Sequence, residues 1–349
     1  MGKFDSRCGY STVTAAEIAR RLGVSRTTVS TLLRGETKTA RISADTARRV
    51  HTLAEELNYV PNALAHNFRR QRSTTIGLVL AEFSGNWADH IMLGMEEVLA
   101  GSGYTPFVGL HRWKVKRARE ELFSCLQRRD VGVICQPFTV ERDVYAPVLD
   151  GDIPFVFLAD RPEGIPEASF VGWDAGPAAR VAVEHLIDTG RRRIGFIGMD
   201  YPMEMSRARH EAYVDVLREA GLPFREDWNG LIPMQWGVGD ALVQTVNDMF
   251  APGQEHPDAL FALNDAIALP LLQRFDQLGI RVPDDVAVIG MGDLDASHRW
   301  PASLSTVREP LEEMGKAAAA VVLELTANPR KAPIHRLIPG QDLKARKTT

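Results

Sequence analysis

The chain has little of what builds disulfide scaffolds or zinc sites. Its 3 cysteines, Cys8, Cys125 and Cys135, are an odd set without CxxC spacing, so neither architecture has support and they read as ordinary thiols. Long apolar runs are absent too. Nothing approaches the roughly 20 residues of a membrane span, and the first residues include no apolar stretch of signal-peptide length. The expectation is a cytoplasmic protein without a membrane partner. Common catalytic signatures are missing as well: there is no GxSxG elbow, P-loop, HExxH or GxGxxG. Gly195-Phe196-Ile197-Gly198 is too short for a dinucleotide loop, and the 9 histidines are scattered. No catalytic residue, cofactor or metal is therefore expected. A transport solute-binding protein is a second alternative to weigh, but it needs a secretion signal.

What is present is a long, ordinary globular composition with an uneven charge. At 349 residues, 45% hydrophobic and 25% charged, the chain exceeds a single typical core and implies two or three units. The net charge of −4 conceals a basic head: residues 1–72 hold 13 Lys/Arg and 6 Asp/Glu, or +7, leaving −11 for the rest. A basic module joined to an acidic one suits a head that binds a polyanion and a body that stays off it.

The head patterns as short helices. Thr14-Ala15-Ala16-Glu17 fits a capping box, with Thr14 accepting a backbone N–H and Glu17 reaching back. Ile18, Ala19 and Leu22 share a face, and Gly23 permits a sharp left-handed turn. Ser25 caps a second helix over 26–33 that Gly35 ends, with Val29, Leu32 and Leu33 inward and Arg26, Thr27, Thr28, Ser30 and Thr31 outward. A third helix is predicted from the cap Ser43 to about Asn58. Two helices joined this way form either a purely structural αα-corner or a helix-turn-helix, whose second helix presents its first side chains to the major groove.

The stretch Val13-Thr14-Ala15-Ala16-Glu17-Ile18-Ala19-Arg20-Arg21-Leu22-Gly23-Val24-Ser25-Arg26-Thr27-Thr28-Val29-Ser30 resembles the signature of the lactose-repressor (LacI/GalR) family of bacterial transcriptional regulators. Asn58-Tyr59-Val60-Pro61-Asn62-Ala63-Leu64-Ala65 is similar to its second signature. By position, the resemblance implies that Arg26, Thr27 and Thr31 read bases. Arginine suits guanine N7 and O6, and threonine suits the thymine methyl. Members commonly place a long polar residue where Thr31 stands. Thr14, Ser25, Thr28 and Ser30 are the expected phosphate contacts that set register.

The segment 59–74 reads as a hinge. Pro61 suits a first helical turn, but residues 62–70 are too few for a stable isolated helix. The resemblance implies that two such segments order together on operator DNA and enter the minor groove, involving Tyr59, Asn62, Ala65, His66, Phe68 and Arg69. Phe68 stands where the family inserts a leucine wedge; packing on its own body is the alternative. Arg70 and Arg72 would add phosphate attraction.

From Thr75 apolar runs alternate with amphipathic helices, and the series restarts after Asp174, implying two doubly wound parallel-sheet lobes. Ligands then sit at strand carboxyl ends, in the loops after residues 80, 135, 158, 198, 263 and 290. Leu186-Ile187-Asp188-Thr189-Gly190, Ala262-Leu263-Asn264-Asp265 and Gly279-Ile280-Arg281-Val282-Pro283-Asp284-Asp285 resemble the family's effector domain, whose body is of periplasmic-binding-protein type. That resemblance implies crossings between lobes near Trp173, residue 303 and residue 333. The organisation expected is an extension (1–12), a helix-turn-helix head (13–58), a hinge (59–74), a first lobe (75–172 and 304–332) and a second lobe (173–303 and 333–349). Arg209 matches the arginine that grips the effector. Trp87, Asp89, Asp160, Trp236, Asn264 and Asp293 are further candidates, with Asp265 mainly structural. Polar forks and aromatic faces suit a sugar or sugar acid. Gly290-Met291-Gly292-Asp293 departs from the family pattern, since Gly292 replaces an effector-facing acid. The function implied is a homodimeric repressor on a pseudo-palindromic operator, released or engaged by a small effector.

Overall fold

The computed structural model describes residues 13–33, 42–59, 73–83, 86–151, 153–200, 203–233, 239–298, 303–328 and 332–349. The chain divides into two compact units, Met1–Gln71 and Arg72–Thr349.

In the first unit, helices α1 (Ala15–Leu22), α2 (Arg26–Leu32) and α3 (Ala44–Glu56) start at Thr14, Ser25 and Ser43. Each cap oxygen accepts the N–H three residues on, at 3.2, 3.0 and 3.2 Å respectively, relieving a donor that the first turn leaves open. Only half of the expected capping box forms. The Glu17 carboxylate turns to Arg20 and Arg21, at 2.8 Å from the latter's Nε, because two guanidiniums one turn ahead outcompete one backbone N–H. Gly23, at φ 67°, ends α1 in the left-handed region. Ile18, Ala19, Val29, Leu32, Val50 and Ala54 are buried together, so the three helices share one small core. Leu33 is the C-cap of α2, and α3 stops at Glu56, two residues short of the expected end. Gly35, read as the terminator of the second helix, lies outside the described residues.

The second unit contains two sheets of six strands. In the first, β1 (Thr75–Leu80) is flanked by β2 (Thr105–Leu110) and β3 (Val133–Cys135); β4 (Phe155–Ala159), β5 (Ser169–Trp173) and β11 (His335–Ile338) follow outward from β3. In the second, β6 (Ile194–Asp200) lies between β7 (Asn229–Pro233) and β8 (Ala259–Ala262); β9 (Ala287–Gly292), β10 (Ser305–Arg308) and β12 (Asp342–Lys344) follow. All pairings are parallel except β10 with β12. The central strands are buried on both faces, which is why they read as unbroken apolar runs.

Helices α4 (Trp87–Leu99), α5 (Val115–Arg128) and α6 (Arg142–Leu149) belong to the first lobe. Helices α7 (Ala175–Asp188), α8 (Glu204–Glu219), α9 (Gly239–Met249) and α10 (Asp265–Leu278) belong to the second. After β10 the chain returns as α11 (Leu311–Ala327), which lies on α4 and the first sheet.

The first crossing follows Trp173, between β5 and α7. The other two differ from the expected positions. Residues 304–308 stay with the second lobe because β10 pairs with β9, Thr306 opposite Gly290, so the chain crosses at Glu309-Pro310. Residues 335–338 stay with the first lobe because β11 pairs with β5, His335 opposite Phe170, so the last crossing falls at residues 339–341. The three connections meet. Trp173 Nε1 donates to the Gly340 carbonyl at 2.9 Å, and a methyl on Gly340 would lie 3.1 Å from Pro310.

Candidate functional site

On the head, α2 carries the expected DNA-facing residues. Ser25, Arg26 and Thr27 are exposed, as is Thr14, whereas Thr28, Ser30 and Thr31 are half-buried. Ser25 and Thr28 hydroxyls also bond each other at 2.9 Å, so the two expected phosphate contacts share one cap. Tyr59 is half-buried against the head's core, its N–H donating to the Ala54 carbonyl at 2.8 Å. Asn62, Ala65, His66, Phe68 and Arg69 lie outside the described residues.

In the body, a cavity of 230 Å³ opens between the two lobes at the carboxyl ends of their strands. From the first lobe come Glu82 after β1, Gln136 after β3 and Asp160 after β4, with Trp87 and Trp113; from the second come Arg209 on α8 and Asn264 after β8. Glu309 enters at the second crossing. Met199, Met205 and Met291 supply apolar wall.

The expected set divides. Trp87, Asp160, Arg209 and Asn264 are brought together here. Trp236 lies outside the described residues. Two acids are placed elsewhere. Asp89 is exposed in the first turn of α4, where its charge faces the positive helix end. The Asp293 side chain is 1% exposed and held by Arg308 at 2.7 Å, by His298 at 2.8 Å and by Arg346. Burial alone would raise its pKa, but the guanidiniums of Arg346 and Arg308 outweigh that and leave it lowered. It is a structural ion cluster, not a cleft residue.

Asp160 joins the lobes. One carboxylate oxygen accepts the N–H of Arg161 at 2.8 Å and that of Met205, in the first turn of α8, at 2.9 Å. The other accepts the Ser206 hydroxyl at 3.3 Å. A side chain of one lobe thus caps the helix of the other that carries Arg209. Burial raises its pKa to about 6, with the two N–H bonds and nearby Arg209 pulling the other way.

Arg209 donates from Nη1 to the Leu263 carbonyl at 3.1 Å and lies 5.3 Å over the Trp173 ring. Its Nε is buried without a hydrogen-bond partner among the described residues. Asp160 and Glu309 both feel its charge, yet neither is within ion-pair distance. An unspent buried donor of this kind is costly unless something accepts from it.

Asn264 accepts the Ile267 N–H at 3.0 Å and Gln136 accepts the Ala81 N–H at 3.0 Å, leaving their NH₂ groups as the remaining donors. Asp265, expected to be mainly structural, is fully buried and accepts from Thr306 and Ser297 hydroxyls at 2.7 Å and from the Leu294 N–H at 3.1 Å.

Sequence reasoning missed Glu82, Trp113, Gln136, Ser206 and Glu309. Glu82 and Gln136 open two of the loops named as candidates. Glu309 was hidden because β10 had been given to the other lobe. Trp113 follows a strained turn, with Arg112 at φ 50° and Trp113 at φ 57°, a rare conformation for bulky residues. Buried His111 holds it there: its Nδ1 accepts the Trp113 N–H at 3.1 Å and its Nε2 donates to the Gln136 carbonyl at 3.2 Å. Burial pushes its pKa down to about 4, so it is neutral and able to play both roles.

A helix-turn-helix head followed by a two-lobed, periplasmic-binding-protein-like body defines the class of DNA-binding transcriptional regulators. Residues 14–62 match the family described as bacterial regulatory proteins, lacI family, and residues 183–349 match a periplasmic binding protein-like domain. The chain belongs to the lacI family of bacterial regulatory proteins. It is 28% identical to the HTH-type transcriptional repressor PurR of Photobacterium profundum, over 89% of this chain and 91% of that protein. Among solved structures it is similar to a transcriptional regulator CelR–cellobiose complex, at 25% identity, TM-score 0.71, covering 97% of this chain and 100% of that one. It shares its fold with the lac repressor dimer bound to operator and the anti-inducer ONPF, at TM-score 0.82 and 22% identity, covering 97% of this chain and 99% of that one.

Proposed function

We propose that this repressor binds a pseudo-palindromic operator as a homodimer and is controlled by a small, sugar-like effector held between the lobes. Arg26, Thr27 and Thr31 read bases, Thr14, Ser25, Thr28 and Ser30 hold phosphates, and the segment containing Phe68 enters the minor groove. The observation that carries the effector half is Arg209: a buried guanidinium edge without an acceptor, inside a cavity ringed by polar groups and tryptophans. The cellobiose in the CelR structure supports a sugar-like occupant. The cavity is smaller than the ~300–1,000 Å³ of most small-molecule sites, which favours a single ring. The role is binding and not turnover.

The test is operator titration of the full chain and of Arg209→Ala, with and without the compound that most raises the melting temperature in a sugar screen. Arg209→Ala should blunt the ligand response, since a ligand moves the equilibrium only by its differential affinity for two states. A variant that retains the full response removes Arg209 from the site. Light scattering that shows a monomer still binding operator tightly sinks the dimer.

A further inference from the structure

We infer that the effector carries a protonated nitrogen, seated against Glu309 with Glu82 nearby on the cavity wall; this rests on reading the cleft as the effector site. Among the described residues, the ionisable groups that line the cavity are four carboxyls, Glu82, Asp160, Asp265 and Glu309, and one guanidinium, Arg209. They are not equally committed. Asp265 is satisfied by three donors and Asp160 by three, none of them from a ligand. Burial raises the pKa of Glu309, with Arg209 and a bond from Trp87 pulling the other way, so its charged form is the one that lacks support, while Glu82 has no hydrogen-bond or ion partner among the described residues. The acceptor capacity left in the cleft therefore belongs to two carboxylates.

Oxygen-binding capacity is supplied separately. Arg209 Nε and the NH₂ groups of Gln136 and Asn264 are donors, because both amide oxygens are spent on backbone N–H groups. An occupant matching this division presents oxygens to one set and a cation to the other. Burying ionised carboxylates beside tryptophan and methionine is unfavourable unless a countercharge arrives. Arg209 can offset one of them. Trp87 and Trp113 also line the cavity, and an aromatic wall favours a cation over an anion. The same count speaks against the sugar acid left open from the sequence, which would add a further negative charge.

The probes are matched trios, D-glucosamine, D-glucose and D-glucuronate with their galacto counterparts, titrated calorimetrically into the full-length protein. The amines should bind at least ~10-fold more tightly than the neutral parents, the scale of one hydrogen bond to a charged group. Glu309→Gln should erase that preference, bringing the amines down to no more than the affinity of their neutral parents. Equal binding, or preference for the acid, overturns the inference. A second measurement needs no ligand: because Arg209 can offset only one of the two carboxylates, at least one of Glu309→Gln and Glu82→Gln should melt higher than the wild-type protein, since it removes the charge left over, and this sustains the charge reading even if no probe binds. Unchanged or lower melting in both variants means those carboxylates have partners within the protein, and the inference falls. An amine that binds tightly without altering operator affinity defeats the effector reading while leaving the charge reading intact.

Discussion

Asp160 couples a titration to the joint between lobes. Burial lifts its carboxyl from 3.8 to about 6, so the folded protein holds this proton more tightly than the unfolded chain does. Its contribution to stability is present below 3.8 and is lost as pH rises through 6, a span worth at most ~3 kcal/mol. Between pH 7 and pH 5 the wild-type protein should therefore gain about 1 kcal/mol relative to Asp160→Asn in urea unfolding. A gap that stays constant with pH would show that Asp160 titrates normally. At this scale the sequence was informative where chemistry follows position: Trp87, Asp160, Arg209 and Asn264 reach the cavity. It misled at Asp293, where an acid beside the missing family acid proved to be locked by two arginines. The cleft's acidity comes instead from Glu82 and Glu309, which follow different strands, β1 and β10, and no local pattern links those positions.

At the scale of elements, the clearest contact is the crossing of α4 and α11. A methyl on Gly94 would lie 1.9 Å from the Glu312 carbonyl oxygen, and one on Gly315 would lie 2.1 Å from that of Ile91. Each backbone fills the space that the other helix's glycine leaves. In an open helix Gly→Ala stabilises by ~0.5–1 kcal/mol. Here Gly94→Ala or Gly315→Ala should instead destabilise, by ~3 kcal/mol or more, because neither carbonyl can move without its helix. Chemical denaturation reads the sign directly, and stabilisation by either alanine would refute the close approach. Such contacts are invisible in the sequence, where Gly94 and Gly315 look like weak points in amphipathic helices. The caps at Thr14, Ser25 and Ser43 were legible because one hydroxyl and one N–H suffice. The two later crossings were not: β10 is only Ser305–Arg308, and β11 is an exposed edge strand, so neither carries a distinctive apolar run.

At the scale of the whole effector-binding unit, the lobes are held by contacts on either side of the cavity. Asn86 accepts the Asp295 N–H at 3.1 Å. Near Asp160, Arg161 and Glu204 form a two-pronged pair at 2.8 and 2.9 Å, and Arg207 meets Glu163 at 2.7 Å. The first pair is the stronger clasp, because the Arg161 side chain is only 13% exposed and Glu204 26%, whereas Arg207 and Glu163 are well exposed and screened. Removing one partner of the first pair strands the other's charge in partly dry surroundings. In a double-mutant cycle, Arg161→Met and Glu204→Gln should therefore each be costly while the double variant costs less than their sum, with a coupling of ~1–2 kcal/mol. Glu204 lies at the start of α8, one residue before the Met205 N–H that Asp160 accepts. The single variants should thus also speed hydrogen exchange at Met205 while leaving exchange in the buried strand β8 unchanged. Additive costs with no local change at Met205 would mean that the lobes are joined by their crossings alone, and that the clasp does not hold α8 against the first lobe.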